Sequence, residues 1–553
     1  MRQLNGLETL FLAMEDNNQP MHIATLRVYD PSTAPGGKVT FDDIFKHIES
    51  KLDEIPVYRR KLFKQPMRLD HPFWIEDENF DLKNHIKNIA VPAPGDLNQL
   101  FQLSSQMHSQ PLDLSRPPWE WWIIQGLSNI DGLPKNSYAI LSKSHHALID
   151  GGSDFGIENI LHSHSPKPSS TASSTEWWPR KKPNRLELFA LRTVNNLTNP
   201  FKLTTDLKNI GKGLAKAVVK RKLVLPRRAP KTRFNQSVSR NLVIGFHTVK
   251  LADIKMIKNA IDGVTVTDVA MAIISGAMRR YLDDKGDLPD KSLITINPVS
   301  VRKKEELQAY GNQLGLITVS LCSNITDPLK RLRAVGNSSL QAKEMVGAMG
   351  LRDFTNFANH LPGMAINIPI YYSKIMKTLN PSLYNTTISS IAGSQKPLFM
   401  NGAQLLDTYG LGFIFDGHGL FHGVNSYNGK FVFCVTSCRD MMPDPEFYVK
   451  CIQDSFEELI AAIPKQTVKK AKKPSKAKTS AEKKESTKTK VSDGTKESTK
   501  TKASDGKKES GKAKGPAAEP LATKSDQADG GAKKPLKAKS SAGAKKPEPN
   551  TSP

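Results

Sequence analysis

The sequence predicts an α/β protein in two folded stretches, followed by a tail that does not fold. Three observations carry this. Residues 1–165 alternate strand-like and helix-like apolar spacing. Residues 234–464 resume that patterning after a basic connection marked by Ser and Pro. Residues 465–553 contain no Phe, Trp or Tyr and hold 25 Lys and no Arg against 10 acidic residues, so they carry +15 of the formal +25. Such a segment cannot bury enough apolar surface to offset its ordering entropy and is expected to be disordered. The chain of 553 residues therefore divides at 1–165, 166–233, 234–464 and 465–553.

In the first stretch, residues 7–14 suggest a short helix, and 23–29 an extended run after Pro20-Met21-His22. Thr40 opens a helix with cap-like chemistry, carrying Ile44, Ile48 and Leu52 at helical spacing. Residues 96–112 form another helix, ending near Pro111. The run 119–127 holds three tryptophans, and an Asp131-Gly132 turn leads into a strand at 137–144. In the connection, helical spacing between 186 and 222 mixes Leu188, Leu191, Leu203 and Val218 with Lys208, Lys212, Lys216 and Lys220. That pattern fits a connection packed across the surface with solvated lysines, or an amphipathic contact with an anionic membrane.

The second stretch reads as a strand at 242–251 and a helix at 253–261. A helix follows at 265–282, with Val269, Ile273, Gly276, Ala277 and Tyr281 on one side. Strands at 293–301 and 316–321 and a helix at 327–345 come next. Four strand-like runs then occupy 387–391, 398–406, 420–427 and 431–436, before a closing helix at 445–463.

Several function classes fall away. Cys322, Cys434, Cys438 and Cys451 form no Cys-x-x-Cys pair, so they read as thiols of a reducing compartment. The N-terminus shows no unbroken apolar signal region, and no window approaches ~18 consecutive apolar residues. A cytoplasmic location, peripheral on a membrane or lipid inclusion, is the expectation. Gly-x-Ser-x-Gly, His-Glu-x-x-His and the dinucleotide fingerprint are missing, and a phosphate-loop-like spacing at 506–512 ends in Ala513. No metal and no bound cofactor is expected. No aromatics interleave the tail lysines, so specific nucleic-acid binding has no support.

What remains is Ser144-His145-His146-Ala147-Leu148-Ile149-Asp150-Gly151. Strand side chains alternate between faces, so a strand running through both histidines would leave one at a site and one in the backing structure. An imidazole accepts a proton near neutral pH, which suits general-base catalysis worth ~10²–10⁴-fold. Gly151 and Gly152 permit a sharp turn, and Ser153-Asp154 can cap a following helix.

The run His145 to Gly151 matches the His-His-x-x-x-Asp-Gly motif of the acyl-CoA-dependent acyltransferases. Further matches follow in order: Pro20-Met21-His22, His71-Pro72-Phe73-Trp74, Pro92-Ala93-Pro94-Gly95, Pro117-Pro118-Trp119-Glu120, Thr267-Asp268-Val269, Pro298-Val299-Ser300-Val301-Arg302, Gly311-Asn312 and Pro443-Asp444-Pro445. With them the chain, from about Leu4 to Ile463, resembles the bacterial wax ester synthase/diacylglycerol acyltransferase family. The resemblance implies two chloramphenicol-acetyltransferase-like domains joined by a long crossover, with an active site in a tunnel between them. It implies transfer of a long acyl group from acyl-CoA to a fatty alcohol or a diacylglycerol. His146 would be the base and His145 its support. Asp150 would be structural, paired with Arg302. Asn312, Trp119 and Gly151 would meet the substrate. The net basic character of residues 1–464 would suit the phosphates of coenzyme A. Two other readings stay open: a non-catalytic protein of lipid droplets or membranes, and acyl transfer to a non-lipid alcohol or amine.

Overall fold

The computed structural model describes residues 1–63, 70–127, 129–149, 151–167, 184, 187, 201–213, 215, 228–300, 314–349, 356–357, 359–376 and 383–464. The tail at 465–553, much of the connection, and three expected site residues (Asp150, Arg302 and Asn312) lie outside the described residues.

The first half builds β1 (Arg2–Gln3), α1 (Gly6–Met14), β2 (His22–Asp30), α2 (Phe41–Lys51), β3 (Arg60–Phe63), β4 (Phe73–Glu76), β5 (Ile86–Ala90), α3 (Leu97–Ser109), β6 (Trp119–Gln125), β7 (Tyr138–His145) and α4 (Gly151–Leu161). The second builds β8 (Leu242–Lys250), α5 (Leu251–Ala260), α6 (Val266–Asp284), β9 (Ile294–Ser300), β10 (Leu314–Ser320) and α7 (Pro328–Met349). It continues with α8 (Gly363–Met376), β11 (Thr386–Ala392), β12 (Phe399–Met400), β13 (Ala403–Leu411), β14 (Leu420–Tyr427), β15 (Lys430–Cys438) and α9 (Pro445–Ala461). Several helix starts follow from local chemistry. Asn5, Thr40, Asp96 and Thr265 each cap a helix, with Glu8, Asp43, Gln99 and Asp268 closing the reciprocal bond. Each such cap contributes ~1 kcal/mol.

Two six-stranded mixed sheets form the frame. The first has the order β12-β13-β2-β7-β6-β5 and the second β10-β9-β11-β14-β15-β8. A small sheet, β1-β4-β3, flanks them. The fold is the mixed α/β one expected, but the sheets do not follow the division at 234. β12 and β13 leave the second half and extend the first sheet, with Tyr409 opposite Leu26 and Leu411 opposite Ala24. Local patterning marks a strand but not its partner, which is why this exchange was not legible.

Two helices also differ from expectation. The spacing at 265–282 marks one apolar side, yet α6 also buries Ala270, Met271, Ala272, Ile274 and Met278. It is wrapped by α5, α7 and α9, and a helix apolar all round belongs in a core. Pro369 removes a backbone donor and signals a break in the sequence, yet α8 runs through it.

A shared core joins the halves. Leu26 and Val28 of β2 and Ala139 and Leu141 of β7 pack with Leu100 and Met107 of α3. The same cluster takes in Ile244 of β8 and Val432 and Cys434 of β15.

Candidate active site

β7 lies between β2 and β6, and every residue of it is buried. Its last residue, His145, stands opposite His22 of β2. There the strand ends. The His145 carbonyl accepts from the N–H of Leu148 at 2.8 Å and of Ile149 at 3.2 Å, so the chain turns at once. His146 therefore begins a turn and does not continue the strand, and its N–H donates to the Met21 carbonyl at 2.9 Å. The two imidazoles are separated as alternation suggested, but a turn does it.

His145 is fully buried. Its Nδ1 accepts from the Ala147 N–H at 3.0 Å, which puts the ring proton on Nε2. Nε2 faces Glu15 Oε2 at 3.5 Å, within reach of an ion pair and long for a hydrogen bond. His146 keeps 9% of its surface exposed. Phe11 stacks on its ring at 4.2 Å, and Phe413 meets it edge-on at 5.4 Å. Phe11 and Glu15 are four residues apart, on α1 and at its C-cap, so one helix reaches both histidines. Phe413 lies where the chain leaves β13 in the first sheet for β14 in the second. Rings from both ends of the chain thus hold the His146 imidazole.

Behind the pair runs a buried polar series. His22 Nε2 donates to the His108 carbonyl at 2.6 Å, and His108 Nε2 donates to the Gly412 carbonyl at 3.0 Å. Burial, with the Lys143 charge nearby, holds His22 well below the ordinary imidazole value. Burial pushes His108 down to about 4. Both are therefore neutral at pH 7, with one N–H each, and each spends it on a carbonyl. His108 so tethers the residue beside Phe413.

Lys143 shares the face of His145 on β7, and its side chain is fully buried. Its ammonium donates to the Met107 and Gln110 carbonyls at 2.9 and 2.7 Å and pairs with Glu120 at 2.7 Å. Burial raises Glu120, but Lys143 and Lys87 together hold it below its ordinary value. A cation at the last carbonyls of α3 suits the negative end of the helix dipole.

Comparisons with known proteins give the family and the fold. The family model described as "Wax ester synthase/diacylglycerol acyltransferase catalytic domain" matches residues 4–270, and "WS/DGAT C-terminal domain" matches 310–460. A protein of Mycobacterium tuberculosis (strain CDC 1551 / Oshkosh), provisionally named a diacylglycerol O-acyltransferase, is 31% identical over 471 residues, covering 84% of this chain and 90% of its own. The chain belongs to the wax ester synthase/diacylglycerol acyltransferase family. It is an acyltransferase by that membership. The solved wax ester synthase/diacylglycerol acyltransferase from Marinobacter aquaeolei VT8 shares the fold at a TM-score of 0.57 and 24% identity, covering 83% of this chain and 98% of that one. A starter condensation domain of rhizomide synthetase, solved with C8-CoA and Leu-SNAC, shares it at 0.51 and 13% identity, covering 83% and 94%.

Within this family frame the other expected residues divide. Gly151, the last residue of the motif, is also the first residue of α4. Trp119, expected to meet substrate, is instead a core residue, 1% exposed. Tyr58 and His85 stack on it at 4.1 and 4.5 Å, and its indole N–H donates to the Tyr58 carbonyl at 2.7 Å. Its place on β6, opposite Ser144, makes it a support for the strand that carries the motif. Asp150, Arg302 and Asn312 lie outside the described residues, so their pairing and contacts are not part of this geometry. Phe11, Glu15, His108 and Phe413 were not expected at the site. Glu15 and Phe11 show helical spacing to one another, but nothing local links them to residue 146. Among the described residues, no group of three His, Cys, Asp or Glu is placed to hold a metal ion.

Proposed function

We propose that this chain transfers a long-chain acyl group from acyl-CoA to the hydroxyl of a lipid, a diacylglycerol or a fatty alcohol. His146 is the base. Its imidazole takes the hydroxyl proton as the oxygen attacks the thioester carbonyl. The C–S bond then breaks, and the imidazolium returns the proton to the departing thiolate of coenzyme A, with no acyl-enzyme. One observation carries the assignment of roles. Of the two motif imidazoles, His145 is fully buried with Nδ1 already bonded to backbone, while His146 keeps some exposure and is held between rings from distant parts of the chain. In this reading Asp150 acts on geometry through Arg302, and Asn312 is a polar group that meets the substrate. The relatives' names and the family support the substrate class. An enzyme for such acceptors works at a lipid surface, and no helix of the described residues is long and apolar enough to cross a membrane.

The test is thiol release from palmitoyl-CoA with a panel of hexadecanol, diacylglycerol and water-soluble alcohols and amines. Wild type is expected to favour the lipid alcohols. His146→Ala should lower kcat/KM by ~10²–10⁴-fold. A retained rate would remove His146 as base, and preference for a soluble acceptor would remove the lipid reading.

A further inference from the structure

The helical residues 201–213 and helix α8 are bound to each other and, through α8, to the helix that reaches the histidines. His360, just before α8, pairs through Nδ1 with Asp206 at 2.6 Å. Asp206 is buried and is the single acidic residue between 201 and 213. At the base of α8, the Leu361 carbonyl accepts from His71 Nε2 at 2.7 Å. His71 Nδ1 in turn accepts from the Thr9 hydroxyl of α1 at 2.7 Å. Gly363 fits so closely that an added Cβ would stand 2.6 Å from the Asp70 carbonyl carbon. α8 therefore rests directly on the 70–71 backbone, one helix away from Phe11 and Glu15.

The outward side of this pair is unlike a solvated surface. Phe201 is 76% exposed, Leu207 51%, Met364 44% and Ile368 60%. Met364 and Ile368 are four residues apart and share a face of α8. Gly363 and Ile366 turn inward, so the apolar outward residues are not a misplaced core stripe. Residues 361–373 contain no charged side chain. On the neighbouring helix Lys202, Lys208 and Lys212 are exposed, with no exposed acid among 201–213. Large apolar side chains are normally exposed singly, whereas several on two linked helices, beside exposed lysines, suit a lipid interface.

We propose that residues 201–213 and α8 form a docking face for an anionic lipid surface, seating the chain with its catalytic histidines one helix from the lipid. The inference rests on the lipid-acyltransferase reading for its purpose, though not for the binding itself. Charge selects the occupant. Lysines attract anionic head groups while Phe201 and Ile368 enter the apolar layer. A second copy of the chain would set these lysines against their own counterparts.

The test uses the full chain and two kinds of vesicle, phosphatidylcholine alone and phosphatidylcholine containing phosphatidylglycerol. Binding is read by co-sedimentation, and oligomeric state by analytical ultracentrifugation. Wild type should bind the anionic vesicles preferentially. The double variant Phe201→Asp/Ile368→Asp, and separately Lys202→Glu/Lys208→Glu/Lys212→Glu, should bind about tenfold more weakly. Both should keep the wild-type rate on a water-soluble alcohol with short-chain acyl-CoA and lose rate on vesicle-borne diacylglycerol. Unchanged vesicle affinity in both variants would assign binding to the lysine-rich tail and overturn the proposal. A change of oligomeric state without a change in vesicle affinity would make the face a contact between copies, and overturn it too. His146→Ala should bind vesicles as wild type does, so failure of the chemistry and failure of the docking face are read separately.

Discussion

His145 and His146 are one residue apart and differ in almost everything around them. A backbone N–H occupies Nδ1 of His145, and the carboxylate of Glu15 stands before its Nε2. Two phenyl rings fix the plane of His146. On the proposed roles Glu15 is a positioning residue, because its carboxylate faces the His145 imidazole. Glu15→Gln keeps the shape and removes the charge. It should lower kcat about tenfold with KM for acyl-CoA unchanged, a split that steady-state kinetics reads directly. An equal rise in KM would mean that Glu15 acts on donor binding. The motif was legible because its seven residues are contiguous. Glu15 and Phe413 were not, because they lie 130 residues before and 267 after His145 and His146 respectively, and only folding brings them there.

At the scale of elements, β7 is the member that the rest secures. β2 and β6 pair with it on either side, and Lys143 ties it to the C-terminus of α3. A buried lysine is costly unless its bonds are met, and here two carbonyls and one carboxylate meet them. Lys143→Met leaves the Met107 and Gln110 carbonyls without this donor and Glu120 with Lys87 alone. The expected cost is about 3–5 kcal/mol, the usual loss on breaking a buried pair. Urea unfolding of the purified variant measures it, and a loss below ~1 kcal/mol would show that water replaces the ammonium. Period-two spacing made β7 legible. It did not reveal that Lys143, polar in a strand, points into the protein, because burial on both faces is a property of the sheet.

Across the whole molecule, buried neutral imidazoles couple stability to pH. His108 is lowered to about 4, and burial lowers His162 and His422 to about 3. In the unfolded chain each returns to about 6.5. Between those values the unfolded state holds protons that the folded state lacks. Stability is therefore full above about pH 6.5 and declines as pH falls toward 4, by up to about 1.4 kcal/mol per pH unit for each imidazole. Urea midpoints across that range should fall with pH, and His108→Gln should flatten the curve. An unchanged slope would mean that His108 takes up its proton without unfolding. His22 and His108 belong to the first half and His422 to the second, so the effect is not confined to one sheet.

The sequence by itself determined the α/β class, most element positions and the family, because caps, periodicity and a contiguous motif are local. Thr40 and Thr265 start helices through residues three positions away, and 420–427 is a strand in both readings. Only the tertiary structure decided which sheet takes β12 and β13, that Trp119 is core, and that Phe11, Glu15 and Phe413 frame the histidines. Those outcomes depend on which surfaces meet, and a strand or an aromatic residue carries the same local signal whatever lies across from it.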